Sequence, residues 1–342
     1  MPSAKKIFSP LLQELPSRQR EVLAARFGIH GEKPQTLAAI GARYGITRER
    51  VRQIEAAGLR NLQSAIFSDR ECKTLLTKAT SFLKRKGGVA GEEEFVAHLN
   101  SAMRGASTGY ALLLAKASRM FHYYRGDALV APVYYLDKQS LRNATKFLAQ
   151  LVKYMKKVKA GVLEGKFSVY LKEFAKQNRV DARLAAHYVG LSCRIRRNVF
   201  GDIGLVEWPE VHPKTVRDKI YLVLKKEGKP VHFEAIAQLI NAARFDSRKA
   251  LAPTVHNELI KDDRFVLVGR GIYALAEHGY TPGVAREVIA RILKQHGPLR
   301  FPEIVKAVQK ERFFKPNTVL ANLQNKTLFE RLKDGTYRVR EA

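Results

Sequence analysis

The sequence predicts a mainly α-helical protein with small β-hairpin wings. Two observations support this fold class. Near the N-terminus, two short amphipathic helices are separated by a turn that ends at Gly45. In the second half, a repeated unit runs helix, glycine turn, short helix, helix and two short strands joined by a further glycine turn.

The first helix pair occupies residues 36–62. Leu37 and Ile40 point inward in the first helix, and the hydroxyl of Thr47 is expected to cap the second helix at its free N–H groups. At about 100° per residue, the second helix has two different faces. The buried face holds Val51, Ile54 and Leu62. The opposite face holds Glu49, Arg52, Gln53 and Ala56.

This arrangement predicts a helix-turn-helix, in which the first turns of the second helix enter the DNA major groove. Arginine can bond guanine, glutamine can bond adenine, and glutamate can accept from cytosine. We therefore expect base contacts from Arg48, Glu49, Arg52 and Gln53. On the residues alone, the alternative is a solvated helix face held by ion pairs such as Glu49 with Arg52.

Residues 15–63, LPSRQREVLAARFG through GITRERVRQIEAAGLRNLQ, closely resemble region 4 of bacterial primary-type sigma factors. In that family the helix matching residues 47–62 reads a promoter element of the minus-35 type. The resemblance implies the same four base contacts and phosphate contacts from Arg18 and Arg26, to which we add Thr47. Nothing later resembles the sigma segments that melt DNA or bind the polymerase clamp, so a complete sigma factor is not expected.

Two positions depart from the pattern of this family. The family often has a basic residue where this chain has Ala57, and a helix-favouring alanine where it has Gly58. A glycine inside a helix costs about 1 kcal/mol relative to alanine. These departures predict weaker binding with the four base-reading side chains intact.

The charge composition of the sequence limits the kinds of molecule that the protein is expected to bind. The 342 residues carry 61 basic and 32 acidic side chains, a net charge of +29, which favours a polyanion. No apolar run approaches the about 20 residues that span a membrane. The expected partner is double-stranded DNA, and the expected location is the bacterial cytoplasm, on the nucleoid. We expect no small-molecule substrate.

The sequence favours neither a metal site nor an enzyme. Cys72 and Cys193 are isolated, without a CxxC pair or a histidine cluster nearby. Residues 161–167, GVLEGKF, lack the spacing and the Ser or Thr that a phosphate loop requires. Because no nucleophilic triad, HExxH motif or carboxylate pair is readable, we expect no catalytic residue, metal or cofactor.

Charge and pattern together suggest five modules: residues 1–66, a helix-turn-helix; 67–138, winged-helix-like; 139–210, a basic winged-helix-like module; 211–280, a winged helix; and 281–342, a C-terminal winged helix. The net charge is +11 over residues 141–200 but +1 over residues 201–280. Phosphate contacts are expected from Arg194, Arg196 and Arg197, at the start of the basic module's wing.

The repeat relates residues 253–275 to residues 317–339 at an offset of 64. Thr254 and Thr318 are expected to cap the third helix of each unit, and Lys333 and Arg338 are expected to contact phosphate from the second wing. Residues 215–280 also resemble the HARE-HTH module, a winged helix found in the delta subunit of some bacterial RNA polymerases and in chromatin and restriction proteins. This resemblance implies a fold and leaves open whether the module contacts DNA or protein.

These observations predict a DNA-binding transcription factor that reads promoter-like DNA and regulates or assists transcription initiation, with RNA polymerase core as a further partner. Two alternatives remain. One is a nucleoid-associated protein that binds DNA independently of sequence, favoured by the total charge. The other is a delta-like polymerase accessory protein, favoured by the nearly neutral module.

Overall fold

The computed structural model describes residues 3–29, 33–105, 107–280, 284–311 and 314–340. The chain is mainly helical with small antiparallel sheets, as the sequence predicts. It divides into two compact units, Met1–Arg196 and Arg197–Ala342. Among the described residues, no helix is long and apolar enough to cross a membrane.

The first unit is built mostly of helices. They are α1 Ala4–Gln13, α2 Ser17–Phe27, α3 Leu37–Tyr44, α4 Arg48–Ser68, α5 Arg70–Arg85, α6 Glu92–Ser101, α7 Thr108–Ser118, α8 Lys138–Lys157, the short α9 Lys159–Gly161, α10 Phe167–Gln177 and α11 Ala182–Gly190. Its strands are β1 Val89–Gly91, β2 His122–Tyr124, β3 Val133–Tyr135 and β4 Ile195–Arg197, the last of which ends at the first residue of the second unit.

Two hydrophobic clusters hold the N-terminal part of this unit together. A small cluster of Val22, Ala25, Ile40 and Val51 joins α2, α3 and the first turns of α4. A much larger cluster runs from Ala4 to Tyr134 and includes the second half of α4. Gly109 of α7 lies so close to the Phe27 carbonyl that a Cβ atom there would overlap it. Residue 66, the predicted end of the first module, therefore lies inside α4 and inside this shared core, and the five-module division stays a prediction.

Residues 70–135 follow the order helix, strand, helix, helix, strand, strand. Their sheet has the order β1–β3–β2, and Tyr135 lies opposite both Val89 and His122. Residues 138–190 differ, because no strand lies between α8 and α11, a stretch that is fully described. A π-helical turn over Val162–Lys166, with Gly165 at φ 84°, lies between α9 and α10. Asp181 caps α11, accepting from the N–H groups of Arg183 and Leu184 at 2.8 and 3.3 Å.

The second unit contains the predicted repeat. Its helices are α12 Val216–Glu227, α13 Phe233–Ala243, α14 Ala252–Ile260, α15 Ala285–His296, α16 Phe301–Glu311 and α17 Pro316–Leu323. Its strands are β5 Ile203–Leu205, β6 Val231–His232, β7 Phe265–Gly269, β8 Ile272–Leu275, β9 Leu299–Arg300, β10 Phe329–Arg331 and β11 Thr336–Val339.

Both copies of the repeat pair their strands in the same register. The sheets have the orders β6–β8–β7 and β9–β11–β10, so the short strand after the first helix pairs with the last strand. Phe265 lies opposite Leu275, and Phe329 lies opposite Val339, at the predicted offset of 64. The order of elements matches that of residues 70–135.

The prediction that Thr254 and Thr318 cap the third helices is wrong. The N-cap residues are Leu251 and Lys315, and neither cap makes a side-chain hydrogen bond. The helices begin earlier because Pro253 and Pro316 lie in their first turns, where proline's fixed φ suits the helix and its missing N–H has no partner to lose. Both threonines therefore lie inside the first turn.

Candidate nucleic-acid interface

The turn between α3 and α4 fixes where the second helix begins. Gly45 ends α3 in the left-handed conformation at φ 65°, and the Ile46 N–H donates to the Gly41 carbonyl at 3.0 Å. Gly41 lies under this turn, and a Cβ atom there would be 2.6 Å from the Ile46 carbonyl oxygen. The Thr47 hydroxyl accepts from the Arg50 N–H at 3.1 Å, which confirms the predicted cap.

The first turns of α4 present a polar face to solvent. The four predicted base-reading residues, Arg48, Glu49, Arg52 and Gln53, are all exposed, while Val51 is fully buried behind them. Arg50 is exposed as well and was not among the residues predicted from the sequence. Its place in the same polar turn is the signal that could have identified it. The face therefore carries three arginines, one glutamate and one glutamine.

Side chains on this face also bond to one another. Arg52 makes two hydrogen bonds to Glu49, from Nε at 2.8 Å and from Nη2 at 2.6 Å. Arg50 donates to the side-chain oxygen of Gln53 at 3.1 Å. The hydrogen bond from Arg52 holds the pKa of Glu49 below its usual value, so this carboxylate is charged at neutral pH. The ion pair between Glu49 and Arg52, which the alternative of a solvated helix face predicts, is therefore present on the same face that is expected to read bases.

Arg18 of α2 lies beside the end of α3. Its guanidinium is 3.9 Å from the centroid of the Tyr44 ring, and its Nη1 is 3.9 Å from the Glu21 carboxylate. The Tyr44 hydroxyl donates to the same carboxylate at 2.9 Å. Arg18 is exposed, so its charge is available to solvent. Cation–π contact with Tyr44 restricts its side chain without removing that charge.

Arg26 occupies a more internal position than Arg18. It is half-buried, it donates from Nη1 to the Gln35 carbonyl at 3.0 Å, and its Nε lies 3.8 Å from Oε1 of Glu55. Glu55 is only 5% exposed and also accepts from Lys116 Nζ at 2.7 Å. These three charges join α2, α4 and α7. Neither Glu55 nor Lys116 was predicted, because a contact across 61 residues of sequence leaves no local pattern.

Gly58 has a packing role that explains its departure from the family pattern. It is buried where α4 crosses α2, and a Cβ atom there would be 3.0 Å from Leu23 Cδ1 and 3.3 Å from Gln19 Cβ. The glycine therefore allows the two helices to approach closely. Its cost in helix propensity is offset by this close packing of the helix that carries the reading face.

The other predicted phosphate-contacting residues lie elsewhere. Arg194 is half-buried and Arg196 is exposed in the first unit. Arg197 begins the second unit, is exposed and donates to the Gly201 carbonyl at 2.9 Å. Lys333 is exposed in the turn between β10 and β11, and Arg338 is exposed and pairs with Glu330 at 2.9 Å. Their role in phosphate contact stays a prediction.

Within the described ranges, no group of three or more His, Cys, Asp or Glu side chains could hold a metal ion. Cys72 is buried, and burial strongly raises the pKa of its thiol. Such a thiol is protonated and unreactive at neutral pH.

The capped helix, its buried reverse side and its polar outer face define a DNA-binding helix-turn-helix. Residues 11–64 match the family model described as Sigma-70, region 4, a DNA-binding domain linked to transcription. The chain is also 41% identical over 68 residues to the RNA polymerase sigma factor RpoD of Neisseria gonorrhoeae. That alignment covers 20% of this chain and 11% of the relative, so the chain spans about a tenth of the relative's length. The predicted resemblance to sigma region 4 is confirmed, and the HARE-HTH resemblance stays a prediction.

Proposed function

We propose that this protein reads promoter-like DNA of the minus-35 type through α4, and thereby regulates or assists transcription initiation by RNA polymerase. The observation that carries the proposal is the exposed polar face on the first turns of α4, held outward by the Thr47 cap and the buried Val51. Helices that enter the major groove contact base edges with their N-terminal residues. The function is binding without catalysis, in the bacterial cytoplasm on the nucleoid, with no cofactor.

In this proposal each side chain on the face has a role fixed by its hydrogen-bonding groups. Arg48 and Arg52 donate to guanine, Gln53 bonds adenine, and Glu49 accepts from cytosine. The bidentate pair between Glu49 and Arg52 is exposed to solvent, so DNA can replace it at little cost. Thr47, at the helix start, and Arg18 contact phosphate. Arg26, held by Glu55 and Gln35, acts chiefly by fixing α2 against α4.

We further infer that residues 70–135 and both copies of the repeat are winged helices. Their shared order of helix, strand, helix, helix, strand and strand supports this, as does the pairing of the first strand with the last. The basic residues Arg194, Arg196, Arg197, Lys333 and Arg338 then supply phosphate contacts that strengthen binding without specifying sequence.

The variant Arg52→Ala tests the reading role of α4. It should weaken binding to a preferred duplex, selected from a random library, by about 1–3 kcal/mol, or roughly fivefold to 150-fold. Binding to random duplex should change less than about twofold. Titration of both duplexes with both proteins measures the difference, and Arg85→Ala, an exposed arginine on α5, is the matched control. Equal losses on both duplexes would favour the sequence-independent nucleoid protein instead.

A second function is favoured by one specific surface in residues 201–280. Helix α14 contains no lysine or arginine, and Leu251 and Ile260 at its two ends are 64% and 65% exposed. An exposed surface without basic side chains, flanked by two exposed apolar side chains, suits a protein partner better than phosphate. RNA polymerase core is the proposed partner. Replacing both residues with serine should reduce recovery of polymerase from a nuclease-treated extract and leave DNA affinity unchanged; undiminished recovery would argue against this role.

A further inference from the structure

Helix α8 carries a cationic surface that the function proposed above does not use. Its 20 residues include no Asp or Glu. At about 100° per residue, all of its basic side chains fall within about 100° of the helix circumference. We call this set the α8 stripe: Lys138, Arg142, Lys146, Lys153, Lys156 and Lys157, all of which are exposed.

The reverse side of α8 fixes the stripe in place. Phe147, Leu148, Leu151, Val152 and Met155 are all buried. Helix α8 therefore cannot rotate its apolar face toward a bilayer, and a membrane-surface helix needs that face free.

Most of the stripe is not neutralised within the chain. Among the described residues, no carboxylate forms an ion pair with Lys138, Arg142, Lys146, Lys153 or Lys157. By contrast, Arg52 and Arg338 are paired with glutamates. A row of unpaired cations is costly in self-repulsion unless an anionic partner neutralises it.

A strained arginine lies next to the stripe and gives an independent observation. Arg179, in the turn after α10, is exposed and has φ 55°, the left-handed conformation that favours glycine. It lines a cleft of about 410 Å³ together with Lys146 of the stripe and the amides of Asn143, Gln150 and Asn178. An arginine in a conformation that suits glycine better lowers the stability of the fold. Residues in such strained conformations concentrate at functional sites.

One carboxylate, that of Asp181, also lines this cleft. Its Oδ1 accepts from two backbone N–H groups at the start of α11, so it is occupied as a helix cap. The cleft is otherwise lined by cations, amides and apolar groups. Amides and cations together suit phosphate oxygens, which accept hydrogen bonds from both.

We propose that the α8 stripe and Arg179 form a second contact surface for duplex DNA, which binds the phosphate backbone outside the site that α4 reads. The stripe extends about 28 Å at 1.5 Å per residue, close to one turn of duplex at about 34 Å. None of the exposed residues of α8 is aromatic, so this surface lacks the stacking platform typical of single-strand binding. The proposal rests on the proposed function, because α4 in the same unit brings the duplex to the protein.

The test uses the full chain with Lys138, Arg142, Lys146, Lys153 and Lys157 replaced by glutamine. The slope of log affinity against log salt should fall by up to about 4.5 units, since each of the five lost phosphate contacts removes about 0.9. The preference for the selected duplex over random duplex should stay unchanged. The matched control replaces five exposed cations of the nearly neutral region with glutamine: Lys225, Lys226, Lys229, Arg248 and Lys249.

The control should lower the slope by less than about one unit, because those cations lie outside the proposed surface. Equal slopes for the two five-residue variants would overturn the proposal, since net charge alone would then explain the effect. Lost binding to phosphatidylserine vesicles with intact DNA binding would overturn it in favour of a membrane. The two proposals fail in different measurements: the proposed function fails if Arg52→Ala weakens binding to both duplexes equally, whereas the second surface fails if the salt slope does not fall selectively in the α8 variant.

Arg179→Gly gives a second, independent readout. Removing a strained left-handed residue should raise the melting temperature by about 1–3 °C. Affinity for random duplex should nevertheless fall severalfold. Unchanged affinity would show that Arg179 has only a structural role and would count against the proposal. A lower melting temperature together with lost affinity would also count against it, because the loss would then follow from a less stable fold.

Discussion

Helices α4 and α14 follow a helical neighbour in similar ways, yet they present opposite chemistry to solvent. The exposed first turns of α4 carry Arg48, Glu49, Arg50, Arg52 and Gln53, whereas the exposed residues of α14 are Pro253, Thr254, Asn257 and Ile260. Helix α17 also lacks lysine and arginine. The order of elements alone therefore does not define a DNA-reading helix; the outward face does.

Each of the two helices is nevertheless held by a glutamate that pairs with a cation on another helix. Glu55 of α4 accepts from Lys116 at 2.7 Å, and Glu258 of α14 pairs with Arg217 at 2.9 Å. Glu55 is the more deeply buried, with a side chain 7% exposed against 25% for Glu258. The position of α4 is thus fixed over its 21 residues, by α2 and α3 near its start and by α7 farther along. A reading face needs such fixation, because base contacts tolerate little displacement.

The largest expected loss of stability and DNA affinity comes from replacing Gly41, and it is compared with the replacement of Gly45 in the same turn before α4. In Gly41→Ala the new Cβ would lie 2.6 Å from a backbone oxygen, and overpacking of this kind costs about 1–3 kcal/mol. In Gly45→Ala the space is open, but φ 65° costs about 1 kcal/mol. Denaturant unfolding and titration of the selected duplex should show the greater loss for Gly41→Ala, with α14 unaffected. Equal losses would mean that the turn relaxes around the new side chain.

The anchoring carboxylates give the next comparison. Glu55→Gln removes a buried charge from two cations that are themselves 49% and 35% exposed, so we expect a loss of about 1–2 kcal/mol in unfolding free energy. Glu258→Gln should cost less than about 1 kcal/mol, because its pair is more exposed. Chemical denaturation of both variants measures the difference. A greater cost at Glu258 would show that α14 is the more tightly anchored helix.

Glu49→Gln should act on affinity with little effect on stability. Removing a negative charge from the reading face should raise affinity for random duplex about twofold to fivefold and lower the preference for the selected duplex. Acid should imitate this change only well below neutral pH. The bond from Arg52 lowers the pKa of Glu49, so the pair persists until the pH falls through that lowered value. Unchanged affinity for random duplex would remove Glu49 from the interface.

The smallest effect is expected on α14 itself. Thr254→Ala and Asn257→Ala should each change affinity for either duplex by less than about twofold, because no basic side chain accompanies them and residues 201–280 carry a net charge of only +1. Filter binding at two salt concentrations is sufficient to check this. A tenfold loss in either variant would place α14 on DNA and remove the distinction from α4.

Local signals predicted the geometry of the helix-turn-helix. The Thr47 cap, the inward Ile40 and Val51, and the outward polar residues follow from capping and from helical periodicity. Non-local features were missed. The strands β1, β6 and β9 have only two or three residues, too few for a detectable alternation. The Thr254 and Thr318 caps were predicted wrongly because the adjacent prolines place the helix starts ahead of both threonines.

The single core that runs from Ala4 to Tyr134 has a consequence for amide hydrogen exchange. Residues that share a core open together, so their amides exchange at a common rate set by one unfolding free energy. DNA bound at α4 stabilises that whole cooperative unit, because it binds the folded state alone. If α4 binds DNA as proposed, slowed exchange is therefore expected in α5 and α7 as well, where amides distant from any phosphate would report that the exposed face of α4 is occupied.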